Sequence, residues 1–121
     1  MNPVTGLAIG RIVIGIAMFL SPRLGARIFR VDASSSAAPY FGRLFGSREI
    51  ALGAVTLASS GQARTRLVAA GVAIDAADGA AGALSARDGD VSKVVSGLLI
   101  APAAAAVVVG VAEMLRSRGA A

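Results

Sequence analysis

Six charged side chains lie inside stretches that are otherwise apolar, and their guanidinium and carboxylate groups are of kinds that can bind ligands or transfer protons. They are Arg11, Arg43, Arg48, Glu49, Asp75 and Asp78. An ionised group in an apolar medium is costly unless it is paired. Such a set can clamp a ligand through its guanidinium groups, relay a proton through its carboxylates, or form ion pairs that fix helix packing. The three positive and three negative charges cancel, as burial of the whole set would require.

Other kinds of chemistry are excluded by composition. The chain has no cysteine, so it has neither disulfides nor thiol chemistry, and it has no histidine, the commonest general base and metal ligand. No full set of metal-binding carboxylates and no phosphate-binding loop occurs. We therefore expect no cofactor and no metal site, and the residues favour a protein without catalytic activity.

The overall composition indicates a membrane protein. Hydrophobic residues make up 55% of the chain and the mean hydropathy is +0.73, well above the usual soluble range. The net charge of +5 does not indicate a nucleic-acid partner, because the other basic residues flank the apolar segments. Lys93 is the only lysine among twelve basic residues, which together with the many Ala and Gly residues indicates a GC-rich bacterial genome.

Four apolar segments position these charges. They run over about 4–20, 38–59, 67–84 and 94–115, with polar turns between the last three. Each is near the length that crosses a bilayer as a helix. The sequence predicts an all-α fold, a bundle of four transmembrane helices forming one integral membrane domain over residues 1–121. A soluble amphipathic helix is the competing interpretation of the second segment.

Glycines share the helix faces of the buried charges. Small residues spaced four apart let membrane helices approach closely, so these faces predict helix contacts. The faces are Gly6 and Gly10 with Gly15 nearby, Gly42–Gly46–Glu49–Gly53, and Gly71–Asp75–Asp78–Gly82.

Antiparallel packing predicts which charges meet. Four of the charges, Arg11, Arg48, Glu49 and Asp75, lie near the middle of their segments, so they should share one depth. Arg43 and Asp78 are displaced toward the same face of the membrane at about 1.5 Å per residue. We expect Arg43 to meet Asp78.

A basic stretch follows the first segment. Arg23, Arg27 and Arg30 fall on one helical face within residues 22–32, beside apolar residues. This pattern predicts a short helix at the membrane interface, with its arginines among lipid phosphates. A solvated basic loop is the alternative. Basic residues occur on both sides of the four segments, so their count does not settle the orientation; we expect cytoplasmic termini.

Three stretches resemble the DUF4267 family of small four-helix membrane proteins, whose layout is similar to that of DoxX-like and DUF4345 proteins. They are Pro22 through Val31, Arg43-Leu-Phe-Gly-Ser-Arg-Glu49-Ile-Ala-Leu-Gly53, and Asp75-Ala-Ala-Asp78. The resemblance covers about residues 5–115. It implies a four-helix integral membrane protein and supplies no catalytic residues. The looser DoxX likeness implies association with a membrane redox assembly.

Three functions remain open at this stage. The first is a small accessory or assembly subunit, or a homo-oligomer, of the bacterial inner membrane, with the charges as a structural network. The second is a small-molecule or proton-coupled carrier that uses the charged centre. The third, a membrane enzyme acting on a lipid or quinone, ranks last because His, Cys and a metal set are missing. The expected partners are the bilayer, other membrane subunits or the protein itself.

Overall fold

The computed structural model describes residues 2–28, 30, 37–89 and 92–119. Those residues form five helices and no strand, so the all-α prediction is confirmed. The helices are α1 (Pro3–Leu20), α2 (Pro22–Ile28), α3 (Ala38–Ala58), α4 (Gly61–Arg87) and α5 (Lys93–Gly119). Four of them cover the predicted apolar segments. Helix α4 begins within the predicted 60–66 turn, so only Ser59 and Ser60 connect α3 to α4.

Local sequence sets both ends of α1. The Asn2 side chain accepts a hydrogen bond from the Val4 backbone N–H at 2.8 Å, and Pro3 fits the first turn because it needs no hydrogen-bond acceptor. At the other end Pro22 cannot continue the hydrogen-bond ladder. Helix α2 therefore starts as a separate short helix.

Glycines bring α1 and α3 together as an antiparallel pair. A Cβ on Gly46 would lie 2.6 Å from the Gly15 carbonyl oxygen, and a Cβ on Gly53 would lie 2.5 Å from the Ala8 carbonyl oxygen. Only glycine permits such an approach, and close backbone contact is how small residues associate membrane helices. The glycine face predicted on α3 is thus a contact face.

Helices α4 and α5 form a second antiparallel pair. Gly110 lies against Val72 and Gly79 lies against Ala103, so the two helices run in opposite directions. Each pair packs extensively within itself and much less against the other pair. The fold is therefore two helix pairs with space between them.

Helices α1 and α4 are each long and apolar enough to cross a membrane. Only 22% of the apolar window in each is buried, which differs from the core helix of a soluble protein.

Helix α2 is shorter than predicted. It ends at Ile28, and Arg30 lies beyond it with a φ of 56°. Arg30 therefore does not continue the helical face of Arg23 and Arg27, both of which are exposed. The remaining residues of the predicted 22–32 helix, 29, 31 and 32, lie outside the described residues.

Candidate ligand-binding site

Arg11 is the centre of a buried ion-pair cluster. Its Nη1 donates to Glu49 Oε2 at 2.8 Å and to Asp75 Oδ1 at 3.1 Å, and its Nη2 donates to Asp75 Oδ2. The three residues are only 8%, 5% and 5% exposed, respectively. Arg11 thus joins α1, α3 and α4 at one depth, and the prediction that these three charges meet is confirmed.

Glycine makes room for this guanidinium on α4. A Cβ at Gly71 would lie 3.1 Å from Arg11 Nη2, closer than nearly all real Cβ contacts. Gly71 precedes Asp75 by one helical turn, so both lie on the face of α4 that meets Arg11. This explains why glycine and aspartate share that face.

Arg48 and Asp78 form a second pair beside the first. Arg48 Nη2 lies 2.6 Å from Asp78 Oδ2, and Nη1 lies 3.4 Å from Asp78 Oδ1. The Arg48 guanidinium also lies 5.2 Å from the Phe45 ring centre, within range of a cation–π contact. Both side chains are over one third exposed, at 37% and 36%.

Two polar atoms between these pairs are left without a hydrogen bond. Glu49 Oε1 is buried and has no partner, although Arg48 Nη2 lies 3.6 Å away. Arg48 Nε is buried without a partner as well. A buried polar atom with no hydrogen bond is costly, so each such atom needs an explanation.

Arg43 lies outside this cluster, and the prediction that it meets Asp78 is wrong. Its side chain is exposed, and its Nε donates to the Phe19 carbonyl oxygen at 3.2 Å. Arg43 and Arg48 are five residues apart, which turns them about 140° from each other around α3. They therefore face different neighbours, and Arg48 takes the position beside Asp78.

Without Arg43 the charges no longer cancel. The ion-pair cluster consists of Arg11, Arg48, Glu49, Asp75 and Asp78. Two guanidinium groups face three carboxyl groups, so with all five groups ionised the cluster carries one excess negative charge. Ion pairing alone does not neutralise it.

A cavity of about 610 Å³ lies between the two helix pairs, and all five cluster residues line it. Its remaining wall is mainly apolar and small, and includes Gly10, Ile14, Phe45, Ala81, Ala106 and Val109. Behind Arg11, toward Val4 and Val68, only about 10 Å³ is left. The cluster is thus the polar floor of this central cavity.

A basic groove lies at the other side of α3. It has a volume of about 440 Å³ and is lined by Arg23, Arg27 and Arg43 together with apolar residues such as Leu24. Among the described residues, no acidic side chain lines it. Arg43 therefore belongs with the arginines of α2, a grouping that the sequence analysis missed.

The sequence analysis also missed a third buried acid, in addition to Glu49 and Asp75. Glu113 in α5 is buried and accepts a hydrogen bond from Arg116 one turn later. This hydrogen bond raises the pKa of Arg116 above its ordinary value. The spacing of three residues between Glu113 and Arg116 in a helix could have predicted this ion pair.

The acidic residues do not form a metal site in the part of the chain that the structure describes, since no three metal-binding side chains converge there. No protein-family model matches the chain, and no curated protein or solved structure matches it either. The resemblance to the DUF4267 family therefore stays a prediction.

Proposed function

We propose that this is a multi-pass protein of the bacterial inner membrane that binds a small amphipathic molecule in its central cavity, as a carrier does. The observation that carries the proposal is the cavity itself: apolar walls around a polar floor whose hydrogen bonds are incomplete. Binding sites for small molecules combine such walls with a few placed polar groups. A purely structural ion-pair network would need no open space beside it.

Four membrane crossings are supported by the distribution of side chains. The charges of the ion-pair cluster face the space between the helices, whereas large apolar side chains lie outside on α3 and α5 as well as on α1. Examples are Ile16 and Leu20 on α1, Phe41 and Val55 on α3, and Val108 and Leu115 on α5. Water disfavours such a surface and lipid favours it. Two of the three charged residues on α3, Arg48 and Glu49, belong to the ion-pair cluster. Because they are paired, they do not oppose insertion of α3 into a membrane.

The basic groove supports a place for α2 at the membrane interface. Arg23, Arg27 and Arg43 would lie among lipid phosphates there, while Leu24 reaches toward the acyl chains. Arg30, beyond the helix, adds a further positive charge near this surface. We propose that the termini lie on the cytoplasmic side. Helix α2 follows α1, so it would then lie in the opposite leaflet.

A second candidate function is self-association or service as an accessory subunit. Gly97, Ala101, Ala104 and Val108 form an exposed face of small and apolar residues on α5. Nothing lies within 4 Å of a Cβ built at Gly97. Such a face lets a second membrane helix approach closely. This function and ligand binding use different surfaces of the molecule.

Two glycine variants separate these functions. A Cβ at Gly10 likewise meets nothing within 4 Å, but Gly10 lines the central cavity. Gly10→Leu therefore places its side chain in the cavity, whereas Gly97→Leu places the same side chain on the outer face of α5. Both changes favour helix formation, by about 1 kcal/mol.

The experiment is native mass spectrometry of the protein extracted gently from its own membrane. We expect a small molecule bound to the wild type and to Gly97→Leu, and its loss from Gly10→Leu. Retention of the molecule by Gly10→Leu, or a wild type without any bound molecule, would refute the cavity as the binding site. Loss of a dimer or of a partner protein in Gly97→Leu alone would establish the second function.

A further inference from the structure

The excess charge of the ion-pair cluster bears on what the central cavity binds. Among the residues that line the cavity, only the five members of the cluster are charged. Their two cations and three carboxyl groups leave one negative charge next to apolar walls. Burial of an ionised group in such a medium is costly, and an accompanying opposite charge lowers that cost.

Glu49 and Asp78 show where that opposite charge would lie. Its Oε2 is occupied by Arg11 at 2.8 Å, while its Oε1 accepts no hydrogen bond. The side chain is only 6% exposed, so bulk water is not the missing partner. Arg48 Nη2 already lies between Glu49 Oε1, at 3.6 Å, and Asp78 Oδ2, at 2.6 Å. Asp78 is the more accessible carboxylate of the cluster. A cationic group beside Asp78 would therefore supply the missing positive charge from the cavity.

We infer that the ligand is a monovalent organic ammonium ion with an apolar body. This inference rests on the proposed function and names its ligand class. The ammonium N–H groups donate to the accessible Asp78 carboxylate and balance the excess charge of the cluster. The apolar body lies against the walls formed by residues such as Ile14, Phe45 and Val109. An anionic ligand would raise the excess to two negative charges, and a neutral ligand would leave it unbalanced.

Three probes that share one apolar body test this inference. They are 4-phenylbutylamine, 4-phenylbutanol and 4-phenylbutanoate, which are cationic, neutral and anionic at pH 7. Binding is measured by isothermal titration calorimetry on protein in nanodiscs made only of zwitterionic phosphatidylcholine. Protein-free nanodiscs correct for partitioning into lipid. We expect the amine to bind at least tenfold more tightly than the alcohol, a difference of about 1.4 kcal/mol, and the carboxylate to bind most weakly.

Neutral variants locate the charge that is responsible. Glu49→Gln and Asp78→Asn each remove one negative charge at nearly constant size, and both should bring amine and alcohol to equal affinity. Asp78 is partly exposed, so its variant remains informative if Glu49→Gln fails to fold. Asp88→Asn is the matched control: it makes the same charge change at an exposed residue that pairs with Arg87 outside the cavity. This control should keep the preference for the amine.

The outcomes separate the two proposals. If the alcohol or the carboxylate binds wild type within threefold of the amine, and Gly10→Leu abolishes that binding, the cavity stands and the cation inference is overturned. If the preference persists in both Glu49→Gln and Asp78→Asn, the inference is also overturned. If none of the three probes binds the wild-type protein, the proposal that the cavity binds small amphipathic molecules is refuted, and the cation inference falls with it.

Discussion

Replacing Arg11 with methionine tests whether the buried charges depend on one another. Arg11 is the only cation that contacts Asp75 among the described residues. Glu49 would retain Arg48 at 3.6 Å, so Asp75 is the group left alone by Arg11→Met. Methionine keeps most of the apolar stem of arginine, and the loss is therefore chiefly electrostatic.

The expected magnitude follows from the isolation of Asp75. Breaking a buried ion pair by removing one partner costs about 3–5 kcal/mol. The cost arises because the remaining charge stays buried without its partner. Arg11→Met should thus lower the free energy of unfolding by about 3–5 kcal/mol.

The free energy of unfolding is measured by SDS titration in mixed micelles at pH 7. The double variant Arg11→Met with Asp75→Asn should be more stable at pH 7 than Arg11→Met alone, because no isolated carboxylate remains at that position. Arg43→Met is the matched control. It removes an exposed arginine that makes one hydrogen bond, so it should cost less than about 1 kcal/mol.

Two results would refute this reasoning. A loss for Arg11→Met no larger than that for Arg43→Met would mean that the buried ion pairs of Arg11 contribute little to stability. Strict additivity of Arg11→Met and Asp75→Asn in the double-mutant cycle would mean that the two side chains do not stabilise one another.

Two further predictions concern helix packing and the basic groove. Gly53→Ala should lower the free energy of unfolding by about 1–3 kcal/mol, because its Cβ would lie 2.5 Å from the Ala8 carbonyl oxygen. Gly10→Ala should leave the free energy of unfolding nearly unchanged, because nothing lies within 4 Å of its Cβ. Equal losses of unfolding free energy in the two variants would contradict the close α1–α3 contact. Replacing both Arg27 and Arg43 with Gln should weaken binding of phosphatidylglycerol over phosphatidylcholine severalfold, measured by native mass spectrometry. An unchanged lipid preference would contradict a phosphate site in the groove.

The meeting of Arg11, Glu49 and Asp75 could be predicted because position along a helix fixes depth. The rise per residue is constant, and short connections make neighbouring segments antiparallel, so residues near the middle of each segment share one level. The charge types at that level then predict pairing. No further knowledge of the fold was required for this part of the site.

The partner of Asp78 could not be predicted, because the depth of a residue in its helix does not determine which way its side chain points around the helix axis. Arg43 and Arg48 lie on opposite sides of the Glu49 face. Which side meets α4 depends on the arrangement of all the helices, so the sequence supported the Arg43 pairing as readily as the observed one.

The central cavity was missed for a different reason. The spacing of glycines along a helix predicts where another backbone could approach closely. It does not show whether a neighbouring helix fills that space or leaves it empty. Gly15 does meet the backbone of α3, whereas Gly10 on the same helix faces the cavity. Both residues had been predicted to serve helix contact.

If the chain crosses the membrane as proposed, the division into two helix pairs bears on how it inserts during synthesis. Helices α1 and α3 leave the ribosome before α4, and the two partners of the Arg11–Glu49 salt bridge lie on them. Pairing of these two residues would spare the bilayer two isolated charges, each of which costs about 2.5–3.5 kcal/mol at the centre of an inserted helix. Helix α4 would then bring Asp75 and Asp78 to arginines that are already in place. The order of synthesis would thus limit the unpaired charge that the membrane accepts at any moment.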